Sequence, residues 1–266
     1  MSNRNTKGLF CQTPVSGSTF VNADCFDVFP FIADKSVDAI IADLPYGTTA
    51  CKWDSILPLD KLWAEYKRVL KDDGCIILTA SQPFTSALVM SNPKMFKYEW
   101  IWKKTRYSGN LNATRMPLKA HESVLIFAKG KTKYFPIKTE APEHLIDKRK
   151  TINPSIVKDG GAYNGSKGFV NIRKKDDGTR YPISVQEFKN PNNNSLHPTQ
   201  KPIELMEYLV KTYTNEGDMV LDNTMGSGTC GLAAIKNNRR FIGIEKEKNY
   251  YDIALKRIHE YLGNNK

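Results

Sequence analysis

The sequence predicts an α/β fold in which a mostly parallel sheet has helices on both of its faces. Short apolar runs that suit buried strands occupy residues 37–42, 75–78, 123–128 and 241–244. Segments with apolar residues at helical spacing lie between and after these runs. Strands that alternate with helices form parallel sheets, because each crossover between parallel strands needs the length of a helix. The 266 residues are enough for one large domain with a smaller inserted region.

Two amphipathic helices are predicted from their apolar spacing. The first begins near Pro58 and ends before Gly74, which we expect to stop it. The second begins near Pro202. Their apolar faces are formed by Leu59, Leu62, Trp63, Tyr66, Val69 and Leu70 in the first helix and by Ile203, Met206, Val210 and Tyr213 in the second.

The C-terminal part continues the alternation of strands and helices. A strand at 219–222 is followed by a glycine turn, a helix through 233–237 and the strand 241–244. The chain then enters a final helix, whose apolar face is predicted to pack on the sheet. That face carries Tyr251, Ala254, Leu255, Ile258, Tyr261 and Leu262.

A basic region interrupts the α/β pattern at about residues 129–195, where no sustained periodicity is present. Residues 129–190 carry 14 Lys and Arg against 7 Asp and Glu, a net of +7 within a total of +11. A long irregular stretch inside an α/β chain is typical of a functional loop or small subdomain. Localised positive charge favours a nucleic acid partner over a merely solvated surface.

Several protein classes are disfavoured by composition. No run of about 18 apolar residues exists, so no membrane span is expected. Residues 1–13 lack an apolar signal core, so secretion is not expected. The five cysteines are scattered without a Cys-x-x-Cys pair, which argues against a zinc site or a disulfide framework. We expect a cytoplasmic protein with reduced thiols and no metal.

A glycine turn marks a candidate ligand site. Gly226 to Gly231 match Gly-x-Gly-x-x-Gly between a predicted strand and a predicted helix. Glycines there let the backbone approach a ligand closely. Glu245 ends the next strand, where its carboxylate could accept hydrogen bonds from two ribose hydroxyls. The turn alone fits a dinucleotide site equally well, and Glu245 could instead be a solvated acid beside two lysines.

Three segments together resemble the S-adenosylmethionine-dependent DNA amino-methyltransferases, which modify adenine N6 or cytosine N4. Asp43-Leu44-Pro45-Tyr46 resembles the tetrapeptide of that family that holds the amino group of the target base. Asp222 to Thr229 resembles its cofactor loop, and residues 197–202 resemble a second cofactor motif. The family tetrapeptide is Asp-Pro-Pro-Tyr, so Leu44 departs from it. We expect tolerance, since that position contributes a backbone carbonyl.

The resemblance implies a chemical role for each residue of the tetrapeptide. An exocyclic amino nitrogen is a poor nucleophile, because its lone pair is delocalised into the ring. Acceptors that hold its hydrogens aim the lone pair at the methyl-sulfonium group. Asp43 would accept one hydrogen and the Leu44 carbonyl the other, Pro45 would stiffen the turn, and Tyr46 would stack on the flipped base. Alone, the tetrapeptide would equally suit a surface turn.

The resemblance also implies a cofactor site for S-adenosylmethionine. Asp24 would bind the cofactor adenine, although a turn aspartate is an equal interpretation. His197 in isolation would be a turn residue of a proline-flanked loop. The implied cofactor residues are Asp24, His197, Thr199, Lys201, Asp222, Thr224, Gly226, Ser227, Gly228, Thr229 and Glu245.

Motif order resembles the β group of the family, since the catalytic motif precedes the cofactor loop. This permuted order implies a Rossmann-like sheet in which the C-terminal strands lie beside the catalytic strand and complete one site. The implied organisation is a catalytic half at 14–128, a smaller basic target-recognition region at 129–195, and a cofactor-binding half at 196–266.

Double-stranded DNA is the predicted partner. Arg, Lys and Asn side chains can read base edges, and aromatic side chains can fill the gap left by a flipped base. A homodimer and a cognate restriction nuclease remain open as further partners, and the substrate would be DNA of a bacterial or phage-infected cell. The candidate DNA contacts are Arg106, Tyr107, Asn112 and Arg115, after an expected strand end, and Arg173, Lys174, Lys175 and Arg180 in the basic region.

The sequence therefore favours a DNA adenine-N6 methyltransferase. Asp43 favours adenine over cytosine-N4 methylation, where the related motif usually begins with serine. An RNA or protein-glutamine methyltransferase usually has the opposite motif order. An NAD-dependent oxidoreductase leaves the tetrapeptide unexplained, and a non-catalytic DNA-binding module is disfavoured by intact motifs.

Overall fold

The computed structural model describes residues 17–47, 54–146, 155–156, 170–171, 176–191 and 200–264. Contacts divide the chain into two compact units. One comprises Met1–Phe135 and Ile183–Lys266, and the other Pro136–Pro182. Within the described ranges, no helix is both long and apolar enough to cross a membrane.

The described strands number twelve. In chain order they are β1 Thr19–Asn22, β2 Val37–Asp43, β3 Leu70–Ala80, β4 Phe96–Ser108, β5 Lys119–Phe127, β6 Thr139–Glu140, β7 Ser155–Ile156, β8 Val170–Asn171, β9 Thr179–Arg180, β10 Val185–Phe188, β11 Met219–Asp222 and β12 Arg240–Glu245. The helices of the same residues are α1 Cys25–Val28, α2 Leu59–Val69, α3 Phe84–Ser91, α4 Ile203–Tyr213, α5 Thr229–Lys236 and α6 Lys248–Gly263.

The larger unit contains an eight-stranded sheet with the order β1-β12-β11-β2-β3-β5-β4-β10. All neighbours run parallel except β5, which is antiparallel to both β3 and β4. Ten residues join β4 to β5, too few for the crossover that a parallel pair requires, so these strands form a hairpin. The predicted α/β fold with a mostly parallel sheet is confirmed.

Strand β2 lies near the middle of the eight-stranded sheet, between two parallel neighbours. On one side Val220 of β11 pairs with Ala39, and on the other Ile40 pairs with Ile76 of β3. The C-terminal strands therefore lie beside the N-terminal catalytic strand, as the motif order predicted.

Helices cover both faces of the sheet, and the alternation of side chains along β2 shows why. Ile41 packs in a core with residues of α4, α5 and α6, such as Leu209 and Ala254. Its neighbour Ile40 points to the other face, in a core with Leu62 of α2 and Leu88 of α3. Successive strand residues face opposite sides, so a continuous apolar run needs helices on both.

Gly74 does not stop a helix, contrary to the sequence prediction. Helix α2 ends at Val69, and β3 begins directly at Leu70, so that Gly74 lies inside the strand. A Cβ atom at this position would lie 2.7 Å from the Asp38 carbonyl oxygen. The glycine is needed because the backbone of β2 approaches closely, a role that local sequence signals do not distinguish from a helix stop.

The smaller unit, Pro136–Pro182, falls inside the basic region. Its described strands form two short antiparallel pairs, β6 with β9 and β7 with β8. Within it Arg180 forms an ion pair with Asp176, in which Nη1 lies 2.8 Å from the carboxylate.

Candidate active site

A cavity of about 920 Å³ opens at the carboxyl ends of the parallel strands. Asp43 ends β2, Asp222 ends β11 and Glu245 ends β12, and all three line this cavity. Asp24, just after β1, lines it as well. Ligands of open parallel sheets bind in the crevice outside these strand ends. The fold thus brings the predicted catalytic and cofactor motifs to a single cavity.

The glycine turn is held by Glu245. The Gly226 amide donates to Glu245 Oε2 over 2.8 Å, and the Glu247 amide donates to Oε1 over 2.7 Å. A carboxylate has about four acceptor positions, so two remain for a ligand. Burial raises the pKa of Glu245. Glu245 thus orders the turn, and it retains the capacity to accept from hydroxyl groups.

Gly228 precedes helix α5 in a conformation that favours glycine. Its φ is +76°, and a Cβ atom there would lie 2.7 Å from the Cβ of Ala254 in α6. The turn therefore needs glycine for its backbone angle and for the close approach of a neighbouring helix. Arg257, also in α6, donates to the Ser227 carbonyl oxygen over 2.5 Å and to the Thr229 hydroxyl over 3.1 Å.

Asp222 is a buried carboxylate without an ion-pair partner among the described residues. Its Oδ1 accepts from the Thr224 amide over 3.1 Å, and only 4% of the residue is exposed. Burial raises the pKa of Asp222, and the nearby Asp43 and Glu245 carboxylates add to this effect. A cationic or hydrogen-bond-donating ligand group would relieve this unfavourable burial.

Asp43 is the centre of a hydrogen-bond network at the end of β2. Its Oδ1 accepts from the Tyr46 hydroxyl over 2.7 Å and from the Thr79 hydroxyl. Its Oδ2 accepts from the Lys201 ammonium over 2.6 Å. The Thr224 hydroxyl donates to the Asp43 backbone carbonyl over 3.1 Å, which ties the catalytic strand to the cofactor turn. Three donors thus fix the carboxylate and leave about one acceptor position open.

The rest of the tetrapeptide packs around this carboxylate. Leu44 is 3% exposed and belongs to the core on the α1–α3 face, so leucine is accommodated where the family has proline. The Tyr46 ring stacks on Phe84, with centroids 5.3 Å apart and planes at 23°. Burial, together with the charge of Asp43, raises the pKa of Tyr46, so its hydroxyl remains a donor. Pro45 lines the cavity between these two residues.

Lys201 contacts the Asp43 carboxylate, and the cofactor role that the resemblance implies for Lys201 stays a prediction. Besides Asp43, its ammonium lies 3.4 Å from Glu122, which accepts from Lys104 over 2.5 Å. Burial opposes the charge on Lys201, but the two carboxylates and Tyr46 keep its pKa well above the usual value. Burial likewise opposes ionisation of Glu122, yet the two ammonium groups hold the pKa of Glu122 below its usual value. The four charges alternate in sign and compensate one another.

Sequence reasoning did not identify Thr79, Lys104 or Glu122, because each lies on a strand with no motif of its own. Thr79 reaches Asp43 because the two residues pair across the parallel strands β2 and β3. Lys104 and Glu122 meet on the antiparallel β4–β5 pair, in which Trp102 pairs with Glu122.

Asp24 has the local turn role that one interpretation of the sequence gave it, and its role in cofactor binding stays a prediction. Its Oδ1 caps helix α1 by accepting from the Phe26 amide over 3.0 Å, and its Oδ2 lies 3.1 Å from the Lys246 ammonium. It also lines the cavity. His197, Thr199, Arg173, Lys174 and Lys175 lie outside the described residues.

Of the candidate DNA contacts that the structure describes, Arg180 belongs to the smaller unit, and the other four lie on the β4–β5 hairpin. Arg106 and Tyr107 are within β4 and not after its end, which corrects the expected strand boundary. The sequence has no apolar run at the end of β4, because this end of the hairpin is solvent-exposed. Both residues line the cavity. Asn112 belongs to the short turn Asn110–Asn112, and Arg115 follows it on the exposed surface.

Comparison with known proteins identifies the family of the chain. The N6/N4 methyltransferase family model, described as DNA methylase, matches residues 37–256. The chain belongs to this DNA methylase family. The resemblance predicted from the sequence motifs is thereby confirmed.

Relatives of this DNA methylase include bacterial modification enzymes. It is 28% identical over 246 residues to Type II methyltransferase M1.MboII of Moraxella bovis, covering 87% of this chain and 92% of that protein. It is 30% identical over 259 residues to DNA adenine methyltransferase YhdJ of Escherichia coli (strain K12), covering 90% and 82%.

Solved structures show the same fold. The M1.HpyAVI–SAM complex has a TM-score of 0.60 and 28% identity, and the match covers 90% of this methylase and 98% of that chain. The cytosine-N4-specific PvuII DNA methyltransferase has a TM-score of 0.61 at 14% identity, with 96% and 95% covered, a likeness that concerns the fold alone.

Proposed function

We propose that this methylase transfers a methyl group from S-adenosylmethionine to the N6 amino group of an adenine flipped out of duplex DNA at a specific site. Family membership makes S-adenosylmethionine the cofactor and DNA the substrate. The observation that carries the proposal is the shared cavity, which Asp43 and the Gly226–Thr229 turn both line.

Asp43 is the proposed acceptor for the target amino group. Its carboxylate has about one free acceptor position, since three donors occupy the others. An amino hydrogen held there leaves the nitrogen lone pair directed away from the carboxylate and towards the cofactor side of the cavity. Rigid placement of acceptor and donor can supply most of the rate, because no group must reorganise during reaction.

The methyl transfer is a single displacement. The cofactor supplies an electrophilic methyl group on a sulfonium. The new nitrogen–carbon bond would replace the carbon–sulfur bond and place positive charge on the amino nitrogen, which would then release a proton to the adjacent Asp43 carboxylate. Asp43, next to that nitrogen, stabilises this charge electrostatically. Before the base enters, the Lys201 ammonium compensates the negative charge of the Asp43 carboxylate, because the two side chains form an ion pair.

The glycine turn, Asp222 and Glu245 form the proposed cofactor site. Glu245 has acceptor positions left for ribose hydroxyls, and the buried Asp222 suits a donor or cationic group of the cofactor. The part of the chain at 129–195 is the proposed target-recognition region, because of its excess positive charge.

Adenine is favoured over cytosine by two observations. Position 43 is aspartate, and one 30% identical relative is named a DNA adenine methyltransferase. Cytosine-N4 methylation is the second candidate, because the same amino-holding geometry serves it. Pairing with a restriction nuclease of the same specificity extends the proposal, since M1.MboII is named a type II methyltransferase.

The test is incubation of the protein with unmethylated DNA of mixed sequence and S-adenosylmethionine, followed by mass spectrometry of the nucleosides. We expect N6-methyladenine, and a loss of at least about 100-fold in Asp43→Ala with nearly unchanged cofactor affinity. Asp60→Ala, an exposed aspartate of α2 outside the cavity, is the matched control and should keep full activity.

Three other results of this experiment would each change a different part of the proposal. N4-methylcytosine would retain the mechanism and change the base. Equal losses of activity and cofactor affinity in Asp43→Ala would contradict the role of Asp43. Folded protein that binds cofactor but yields no methylated nucleoside would refute the proposed DNA activity.

A further inference from the structure

The tip of the β4–β5 hairpin exposes a group of large apolar side chains. Leu111 is 99% exposed, Met116 57%, Tyr107 52% and Leu118 37%. Single exposed apolar residues are ordinary, but four within twelve residues form a patch that indicates an interaction surface.

This tip is an ordered turn. The Asn112 amide donates to the Gly109 carbonyl over 2.9 Å, and the Arg115 and Met116 amides donate to the Asn112 carbonyl over 2.8 and 3.0 Å. Gly109 has a φ of +96°, which favours glycine and sets the direction in which the turn leaves β4. The hydrogen-bonded backbone therefore holds Leu111 in solvent in a defined position.

The hairpin rises from the rim of the active-site cavity. Tyr107, Ser108 and Lys119 line the cavity, and Ser108 pairs with Lys119 as the last pair of the two strands. Leu111 is three residues beyond Ser108, a distance of at most about 11 Å along the chain. An apolar side chain at the tip thus lies close to the rim of the cavity that Asp43 lines.

The residues around the tip are cationic. Residues 105–119 contain three Lys or Arg and no Asp or Glu, whereas Lys103 and Lys104 pair with Glu187 and Glu122. Arg115 is exposed, and its side chain has no hydrogen bond or ion pair with any described residue. A surface that is both apolar and positively charged complements duplex DNA at an opened base step, where phosphates flank apolar base faces.

We propose that residues 109–118 insert into the duplex beside the target base, and that Leu111 and Met116 occupy the space the flipped base vacates. This inference rests on the proposed DNA methyltransferase function. It assigns the hairpin tip to opening of the base pair and leaves sequence recognition to other parts of the chain. Apolar side chains inserted between base steps compensate lost stacking, which favours the extrahelical state of the target.

The test uses synthetic duplexes with the site that the wild-type protein methylates. Leu111→Ser is compared with Met90→Ser, which alters another exposed apolar residue, 72% exposed on α3 and outside the cavity lining. We expect Leu111→Ser to lower kcat/KM on the normal duplex about 10-fold or more, since the inserted apolar area is lost. Met90→Ser should remain within about 2-fold of wild type.

A second duplex carries an abasic position opposite the target base. There the target has no pairing partner to hold it, so Leu111→Ser should recover to within about 3-fold of wild type. Fluorescence of 2-aminopurine at the target position should rise with wild type and much less with Leu111→Ser. Cofactor affinity should be equal in all three proteins, which shows that they are folded.

Two results would overturn the inference. One is a normal duplex rate for Leu111→Ser, and the other is an equal loss on both duplexes, which would indicate simple loss of DNA affinity. Failure of the wild-type protein to methylate any DNA would instead count against the proposed function, so the two failures are distinguishable.

Discussion

Replacing Gly228 by alanine is expected to destabilise the fold by two separable effects. The positive φ of +76° costs a residue with a Cβ about 1–2 kcal/mol. The new Cβ, 2.7 Å from the Ala254 Cβ, overpacks the contact between the glycine turn and α6, which costs about 1–3 kcal/mol. The sum is about 2–5 kcal/mol, which corresponds to a fall in Tm of roughly 4–20 °C.

Substitutions at two other glycines allow the backbone cost and the packing cost to be measured separately. Gly217 has a φ of +80° and no atom within 4 Å of an added Cβ, so Gly217→Ala measures the backbone cost alone. Gly130 has neither constraint, and Gly130→Ala should change the free energy of unfolding by less than about 1 kcal/mol. The assay is urea unfolding of the three variants beside wild type.

A double-mutant cycle completes the test. Ala254→Gly removes the atom that the new Cβ meets, so Gly228→Ala should cost about 1–3 kcal/mol less in that background. The backbone cost remains. The reasoning is refuted if Gly228→Ala destabilises no more than Gly217→Ala, or if the cycle shows no coupling between positions 228 and 254.

Two further predictions concern the charged groups of the cavity. Lys201→Gln should lower kcat/KM about 10- to 100-fold, because it removes a charge-assisted hydrogen bond to Asp43. The cofactor Kd should stay nearly constant. An equal change in Kd would place Lys201 in the cofactor site instead. Burial raises the pKa of Asp222 above its unfolded value of about 4, so the stability of the wild-type protein falls as the pH rises beyond that value. Asp222→Asn removes the buried charge and should therefore raise Tm at pH 7. The gain should vanish below about pH 4 and be accompanied by weaker cofactor binding; a gain independent of pH would contradict this origin.

Elements with strong local signals were predicted well from sequence. Strand β11 was expected at 219–222 and is found there, because an apolar run is bounded by a turn on each side. Helix α4 begins after Pro202 and ends at Tyr213, in agreement with its apolar spacing. The tetrapeptide and the glycine turn could be recognised because their residues are contiguous in the chain, and both segments line the same cavity.

Features that depend on distant contacts were not predicted. The direction of β5 is set by the short β4–β5 connection, and no residue of the strand itself specifies it. The pairing of Lys201 with Asp43 joins residues 158 positions apart, and family resemblance suggested a cofactor role for Lys201 instead. Strand β10 lies at the sheet edge within a region without periodicity, where the Val185–Ile101 pairing decides its conformation.

The central position of β2 has a consequence for synthesis of the chain. Strand β2 is complete at Asp43, but its neighbour β11 begins only at Met219. At about 5–20 residues per second, the ribosome needs roughly 10–35 s to make the residues between them. During this interval an apolar strand presents an unpaired edge, the kind of surface that recruits other chains. The arrangement that closes the active site thus also makes the nascent protein dependent on prompt completion of its own C-terminal half.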